Sequence, residues 1–182
     1  MTDAVAAPGG PPTPGLVRRL ACFVYEGVLL FGVLMAAGLV YGVATDQRHA
    51  LAGAFGLRVF LFLVLGAYFV GFWSQYGQTL AMRTWHIRLV HTVHGDSLRP
   101  PGWARAAARY LLAWLWFLPA LVALHFSGLK GAPTAFALLS VGVLTYALLA
   151  RVHPQRQFLH DALCGTRLVT WRPPPKRMAV TR

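Results

Sequence analysis

The chain has 182 residues, of which 57% are hydrophobic and only 12% are charged. Charged residues make up roughly a quarter of a water-soluble domain, so lipid rather than water must cover much of this protein. The formal net charge of +12 would suit a nucleic-acid-binding protein, but the basic residues cluster at the ends of apolar runs, where chains meet anionic headgroups. We therefore expect the lipid bilayer as partner and no nucleic acid.

The two ends of the chain differ from its middle. Residues 1–17 are rich in Pro, Gly and Ala without an apolar period, which predicts a disordered tail. Residues 18–171 contain the apolar runs and form the predicted transmembrane domain, and residues 172–182 form a short basic tail.

Four apolar runs follow one another in the middle region. The first two, residues 20–41 and 51–73, are each long enough to cross a hydrocarbon core of about 30 Å as a helix. The third, residues 110–124, is interrupted by Pro119, and the fourth covers residues 132–150. The pattern predicts an all-α bundle of four transmembrane helices. Because only a short LKGAP segment separates the last two runs, a re-entrant hairpin is the alternative.

The distribution of Lys and Arg predicts the orientation, since positive charge collects in cytoplasmic loops. The two loops of the opposite side contribute only Arg48 and Lys130, with Arg58 at the start of the second run. Both termini and the middle loop are therefore predicted to be cytoplasmic. The basic residues expected at the membrane surface are Arg83, Arg88, Arg105, Arg109, Arg156 and Arg167.

Two segments on the predicted cytoplasmic side alternate as strands do. They are residues 84–90 and residues 165–171, and they can pair as a small β-ribbon. Residues 77–90 equally fit an amphipathic helix that lies in the membrane interface. Periodicity over so few residues leaves both alternatives open.

Glu26 is the most informative single residue. It lies seven residues after Arg19, which places it two helical turns further along the same face. An ionisable group inside a membrane-spanning helix is costly, so it normally faces the bundle interior or a wet cavity and has a partner. Two interpretations remain: a proton or cation site, or a packing contact in which Glu26 pairs with Arg19, Arg109 or Arg151.

The sequence offers little for catalysis or metal binding. It contains no nucleophile elbow, phosphate-binding glycine loop, HExxH or paired carboxylates. His91 and His94 form an HxxH, but a metal site needs three or four converging ligands. We therefore expect neither a metal, nor a cofactor, nor enzymatic activity.

Three short motifs resemble the RDD family of bacterial integral membrane proteins. Residues 19–26 (RLACFVYE) resemble its opening R-x-x-A-x-x-x-D, residues 77–83 (GQTLAMR) its G-Q-T-x-G-x-x, and residues 160–166 (HDALCGT) its closing H-D-x-x-x-G-T. The three motifs occur in the same order and at similar spacing over about residues 16–171.

The resemblance implies a bacterial inner-membrane protein in which Arg19 and Asp161 correspond to family-defining residues. Glu26 replaces the first Asp of the family, which keeps the charge and adds one methylene group, and Ala81 replaces a usual Gly. Some members of the family have been linked to cation and proton exchange, while most are described only as membrane proteins.

Two functional hypotheses follow. In the first, the protein transports a cation, a proton or a small solute through a polar site formed by Arg19, Glu26, Gln78 and Asp161. In the second, it is a non-transporting membrane scaffold whose basic cytoplasmic face binds anionic lipid or a partner protein. Four helices alone make a thin wall for a solute path, so the first hypothesis favours a homo-oligomer.

Overall fold

The computed structural model describes residues 11–46, 54–91, 99–128, 131–149 and 157–172. Over these ranges the chain is mostly helical and contains one two-stranded sheet. Of the residues singled out from the sequence, Arg48, His94, Lys130, Arg151 and Arg156 lie outside the described ranges, as do parts of both predicted tails.

The first two apolar runs form long helices. Helix α1 is Leu16–Ala44 and helix α2 is Ala54–Tyr76. With 29 and 23 residues at about 1.5 Å per residue, both are long enough for a hydrocarbon core of about 30 Å. Helix α1 extends beyond its predicted apolar run at both ends, because the apolar pattern does not mark where a helix continues into the headgroup region.

The third apolar run is helical with a local change of geometry. Helix α4 is Trp103–Ala113, a 3₁₀ turn covers Trp114–Trp116, and helix α5 is Leu118–Ser127. The combined stretch Trp103–Phe126 is also long and apolar enough to cross a membrane. The change occurs just before Pro119, because a proline ring lacks an N–H and crowds the carbonyl group four residues earlier.

The fourth apolar run forms helix α6, Ala132–Leu149. It packs closely on α5, since a Cβ atom added to Gly142 would lie 2.8 Å from the Cβ atom of Ala120. Its apolar part, Ala132–Leu148, is shorter than the other three. The described residues thus contain three helices long enough to span a membrane, and the fourth predicted span stays a prediction.

Short elements lie between and after the long helices. They are helix α3 (Leu80–Thr84), strand β1 (Ile87–His91), helix α7 (Leu159–Leu163) and strand β2 (Thr166–Thr170). The two strands pair in antiparallel register, which confirms the predicted β-ribbon. We call the end of the bundle where these four elements lie the ribbon end.

A sharp turn at His86 separates α3 from β1. His86 has a φ of +53°, a left-handed conformation that ends a helix. The alternative of one amphipathic helix over residues 77–90 is therefore wrong. Arg18 binds this turn from α1: its Nε donates to the Trp85 carbonyl at 2.7 Å and its Nη2 to the His86 carbonyl at 3.1 Å.

Neighbouring backbone binds both edges of the ribbon. On the β1 side, the Leu89 N–H donates to the carbonyl of Gly77 at 2.7 Å. On the β2 side, the Thr170 N–H donates to the carbonyl of Pro12 at 2.9 Å. The tail predicted to be disordered therefore ends in residues that bind the sheet, and helix α1 starts within its last two residues.

The buried core lies at the ribbon end. Leu89 and Val169, one from each strand, are completely buried, and the core continues between the helix ends. Further along α1 and α2, large apolar side chains such as Phe31 and Leu63 are exposed, as expected for helices surrounded by lipid. The other core side chains include Cys22, Val70, Trp73, Met82, Ile87, Tyr110, Tyr146, Phe158 and Leu168.

Replacing Leu89 by Ala should destabilise the protein by about 2–5 kcal/mol, because it leaves a cavity in a completely buried site. The measurement is thermal unfolding of the purified protein in detergent. Leu163→Ala is the matched control, since Leu163 is 62% exposed on the neighbouring helix α7. Equal losses for the two variants would contradict the placement of the core.

Candidate functional site

Glu26 lies in a buried group of hydroxyl side chains. Its side chain is only 7% exposed. The Tyr68 hydroxyl on α2 donates to Glu26 Oε1 at 2.6 Å, and the Thr79 hydroxyl donates to Glu26 Oε2. We call Glu26, Tyr68 and Thr79 the Glu26 cluster. Among the described residues, no basic side chain pairs with this carboxylate, so the expected partner arginines are replaced by two hydroxyls.

Local structure explains how the two hydroxyls are held. Thr79 caps α3, and its Oγ1 accepts the Met82 N–H at 3.2 Å. Tyr68 lies on α2, and its hydroxyl reaches the other carboxylate oxygen. Each hydroxyl therefore offers its single hydrogen to Glu26, and the Thr79 hydroxyl also accepts a backbone N–H from the first turn of α3.

Asp161 is the centre of a second buried group. It is completely buried, and its Oδ1 lies 2.7 Å from Arg109 Nε. The Thr166 hydroxyl lies 3.4 Å from the same oxygen. The Arg109 guanidinium also stacks on the ring of Trp73, with 4.1 Å between its Cζ and the ring centroid. These four residues, together with His160 and Tyr146, form the Asp161 cluster. The cluster joins α2, α4, α6 and α7 to strand β2.

His160 is packed between aromatic rings in the Asp161 cluster. Its ring is nearly parallel to those of Tyr146 and Phe158, with centroids 6.0 and 5.6 Å away. Its Nδ1 lies 3.0 Å from the Tyr146 hydroxyl. Burial lowers the pKa of His160 from 6.5 to about 4; the Asp161 carboxylate opposes this shift and Arg109 adds to it. His160 is therefore neutral at pH 7.

Arg19 lies near the Asp161 cluster and not against Glu26. Its guanidinium stacks on the ring of Phe158 at 4.6 Å and is attracted by the charge of Asp161. Its Nε and Nη1 are buried and have no hydrogen-bond partner among the described residues, and neither has Asp161 Oδ2. Arg19 is therefore a charged neighbour of the Asp161 cluster, to which it is attracted without a direct hydrogen bond.

Gln78 contributes to the fold of the connecting loop. Its amide nitrogen donates to the carbonyl of Ile87 at 2.7 Å. The four predicted site residues thus divide between three places: Glu26 in its own cluster, Asp161 and Arg19 in the other, and Gln78 between α2 and β1. The single polar site expected from the sequence is not formed.

The predicted surface arginines also divide. Arg83 and Arg105 are exposed, while Arg88 and Arg167 are half-buried. Arg109 differs from the expectation, because it is buried in the ion pair with Asp161. The sequence suggested a surface position because Arg109 lies just before an apolar run, yet its partner comes from a segment 52 residues later.

Sequence reasoning missed Tyr68, Thr79 and Tyr146. Thr79 belongs to the G-Q-T motif, so that motif was the available signal. Tyr68 and Tyr146 each place a hydroxyl inside an otherwise apolar stretch, and a buried hydroxyl needs a partner. Among the described residues, no group of three or more His, Cys, Asp or Glu side chains could hold a metal ion.

Long apolar helices around buried polar clusters define a helical membrane protein. The family model of the RDD family matches residues 13–165, which is most of the chain. The chain therefore belongs to the RDD family, and the resemblance predicted from the three motifs is confirmed. No significant match was found among curated proteins or among solved structures.

The ion pair of the Asp161 cluster gives a prediction on stability. Asp161→Asn should cost about 3–5 kcal/mol, because it leaves the buried Arg109 without its counter-charge. Arg109→Gln should cost a similar amount. The double variant should lose clearly less than the sum, since neither charge then remains unpaired. Unfolding of the four proteins in detergent measures this, and additive losses would contradict the pairing.

His160 gives a prediction on pH. Because its pKa is lowered in the folded protein, the unfolded chain binds the proton more readily between pH 6.5 and about 4. Stability should therefore be highest above pH 6.5 and fall below it, by up to about 1.4 kcal/mol per pH unit. Melting temperatures from pH 4 to 8 should show this fall, and His160→Gln should flatten it. Identical profiles for both proteins would contradict a neutral, buried His160.

Proposed function

We propose that this RDD protein takes part in transport, and that Glu26 is the carboxylate to which a cation or proton binds. The observation that supports the proposal is the chemistry of the Glu26 cluster. Two hydroxyls donate to the carboxylate, and no arginine or lysine of the described chain neutralises it. An ionisable group inside a membrane helix is a functional candidate by default.

The Asp161 cluster is the internal comparison. Asp161 is paired with Arg109 at 2.7 Å, so its charge is neutralised and the contact suits a structural role. Hydroxyls, in contrast, stabilise a carboxylate without removing its net charge. Glu26 therefore keeps an electrostatic reason to attract a cation or proton that Asp161 lacks.

The transport proposal includes a topology. We propose four membrane spans in a bacterial inner membrane, with the ribbon end and both termini in the cytoplasm. The excess of Arg at the ribbon end supports this orientation. Helix α6, with 18 residues, is about 27 Å long and can span if the bilayer thins slightly around it. A homo-oligomer would supply the thicker wall that a solute path needs.

A proteoliposome assay tests the transport role. The purified protein is reconstituted with a pH-sensitive dye inside, and gradients of sodium, potassium, lithium and pH are applied in turn. Wild type should give an ion-dependent pH change, and Glu26→Gln should lose at least about 90% of its rate, because the charged acceptor is gone. Asp46→Asn, which neutralises the exposed acid at the far end of α1, is the matched control and should keep its activity.

Absence of flux from folded, inserted wild type would favour the second hypothesis. In it, the protein is a membrane scaffold that binds anionic lipid or a partner protein. The exposure of Arg83 and Arg105 at the ribbon end supports this candidate, because both side chains are available to anionic headgroups. If the Glu26→Gln variant gave the same flux as wild type, the transport proposal would stand and Glu26 would have no part in it.

A further inference from the structure

The N-terminal end of helix α3 is held between two attachments, while Arg18 of α1 binds the Trp85 carbonyl at its C-terminal end. On one side, Gly77 and Gln78 attach the preceding loop to the ribbon through hydrogen bonds to Leu89 and Ile87, both 2.7 Å long. A Cβ atom on Gly77 would lie 2.6 Å from the Leu89 carbonyl oxygen, and its φ is +68°, so this attachment is sterically tight. On the other side, α3 is attached to the long helices through the Glu26 cluster.

The second attachment is a relay through Thr79. The Met82 N–H donates to the Thr79 hydroxyl, and that hydroxyl donates to Glu26 Oε2 on α1. The Tyr68 hydroxyl on α2 donates to the other carboxylate oxygen. Both oxygens of an ionised Glu26 therefore act as acceptors, and the relay binds the first turn of α3 to α1.

Uptake of a proton by Glu26 changes the number of hydrogen-bond donors and acceptors in the Glu26 cluster. When a proton binds one carboxylate oxygen, that oxygen becomes a donor and its hydroxyl partner must turn its own hydrogen elsewhere. The Thr79 hydroxyl is already an acceptor for the Met82 N–H, so at Thr79 either the hydroxyl hydrogen or that N–H loses a partner inside a buried site. No other atom is gained or lost in the step, and the proton comes from the surrounding water.

A proton fits the Glu26 cluster better than a metal cation. Metal ions such as calcium and magnesium gather about six or more oxygen ligands. The cluster presents the two Glu26 oxygens and two hydroxyl oxygens, and the Thr79 oxygen already accepts the Met82 N–H. Two carboxylate oxygens suffice for a proton.

We propose that protonation of Glu26 releases the first turn of helix α3 from α1, so that the Glu26 cluster acts as a proton-operated latch at the ribbon end. The proposal rests on the proposed role of Glu26 as the ion-binding residue and names its ligand as a proton. Release exposes Ala81 and Met82, which are 0% and 7% exposed in the closed arrangement. The tight attachment at Gly77 keeps the ribbon in place, so α3 is the element that moves.

Few other groups can supply the response to pH. Among the described residues, the titratable side chains that face Glu26 are the Tyr68 phenol on α2 and the Cys22 thiol one turn earlier on α1. The reference pKa values of a phenol, about 10, and of a thiol, about 8.5, lie above neutral pH. Arg83 is the only ionisable side chain on α3, and it is exposed. The response therefore belongs to Glu26.

Hydrogen–deuterium exchange of the reconstituted full chain tests the latch. At pH 7, residues 80–85 of Glu26→Gln should exchange about tenfold faster or more than in wild type, since the relay through Thr79 loses its anionic acceptor. Strand β1 should be unchanged. Tyr68→Phe should also speed exchange, and the double variant should be no faster than Glu26→Gln, because both act through one acceptor. Asp46→Asn is the control.

A second arm uses wild type alone, in case Glu26→Gln folds poorly. The ratio of exchange at residues 80–85 to exchange at strand β1, which corrects for the intrinsic effect of pH, should rise as the pH falls. Sodium at constant pH should leave the ratio unchanged; a sodium-dependent ratio would replace the proton by a metal cation. A ratio independent of pH would overturn the latch. If the exchange ratio depended on pH but the proteoliposomes showed no ion flux, the latch proposal would stand and the transport proposal would be wrong.

Discussion

The ion pair between Arg109 and Asp161 joins the membrane helices to the ribbon end. Asp161 lies on α7, which leads directly into β2, while Arg109 lies on α4 and stacks on Trp73 of α2. Because Asp161 is completely buried, its charge is tolerated only with Arg109 in place. The position of β2, and through the ribbon that of β1, therefore depends on this contact.

Two buried carboxylates of the described residues are held in opposite ways. Asp161 has a guanidinium partner and a stacked His160 beside it, so a positive charge faces the carboxylate directly. Among the described residues, the hydrogen-bond partners of Glu26 are two hydroxyls, and one of them, that of Thr79, also accepts a backbone N–H of a five-residue helix. Loss of charge at Asp161 leaves Arg109 unpaired, whereas loss of charge at Glu26 leaves no cation unpaired and instead changes the acceptor of the hydroxyl that caps α3.

Much of the architecture was predictable, because lipid imposes a strong signal. The apolar runs located α1, α2 and α6, and alternation located both strands of the ribbon. Partners were harder to predict. Arg109 was expected at the surface because its neighbours in sequence are interfacial, whereas its partner Asp161 is distant in the chain. Glu26 was predicted to be buried, but the sequence does not show which residue a hydroxyl side chain contacts, so Tyr68 and Thr79 were missed.

The motif residues act mainly by connecting segments. In the G-Q-T motif, Gly77 permits a close backbone contact, Gln78 binds the Ile87 carbonyl and Thr79 caps α3. Of these, only Thr79 also touches Glu26, so the motif contains both contacts to the ribbon and a contact to the candidate ion site. A movement of Glu26 therefore reaches Gln78 and Gly77 through Thr79.

The length of Glu26 matters for this connection. The family motif that residues 19–26 resemble has Asp at this position, whose carboxylate ends one methylene closer to the backbone. Here the oxygens of Glu26 meet Tyr68 of α2 and Thr79 of the loop simultaneously, which fixes the separation of α1 from both. A shorter acid could keep the charge but would meet both hydroxyls only if α1 moved closer. Charge and spacing at position 26 are therefore separate constraints, and the longer side chain of this protein satisfies both with its own helix arrangement.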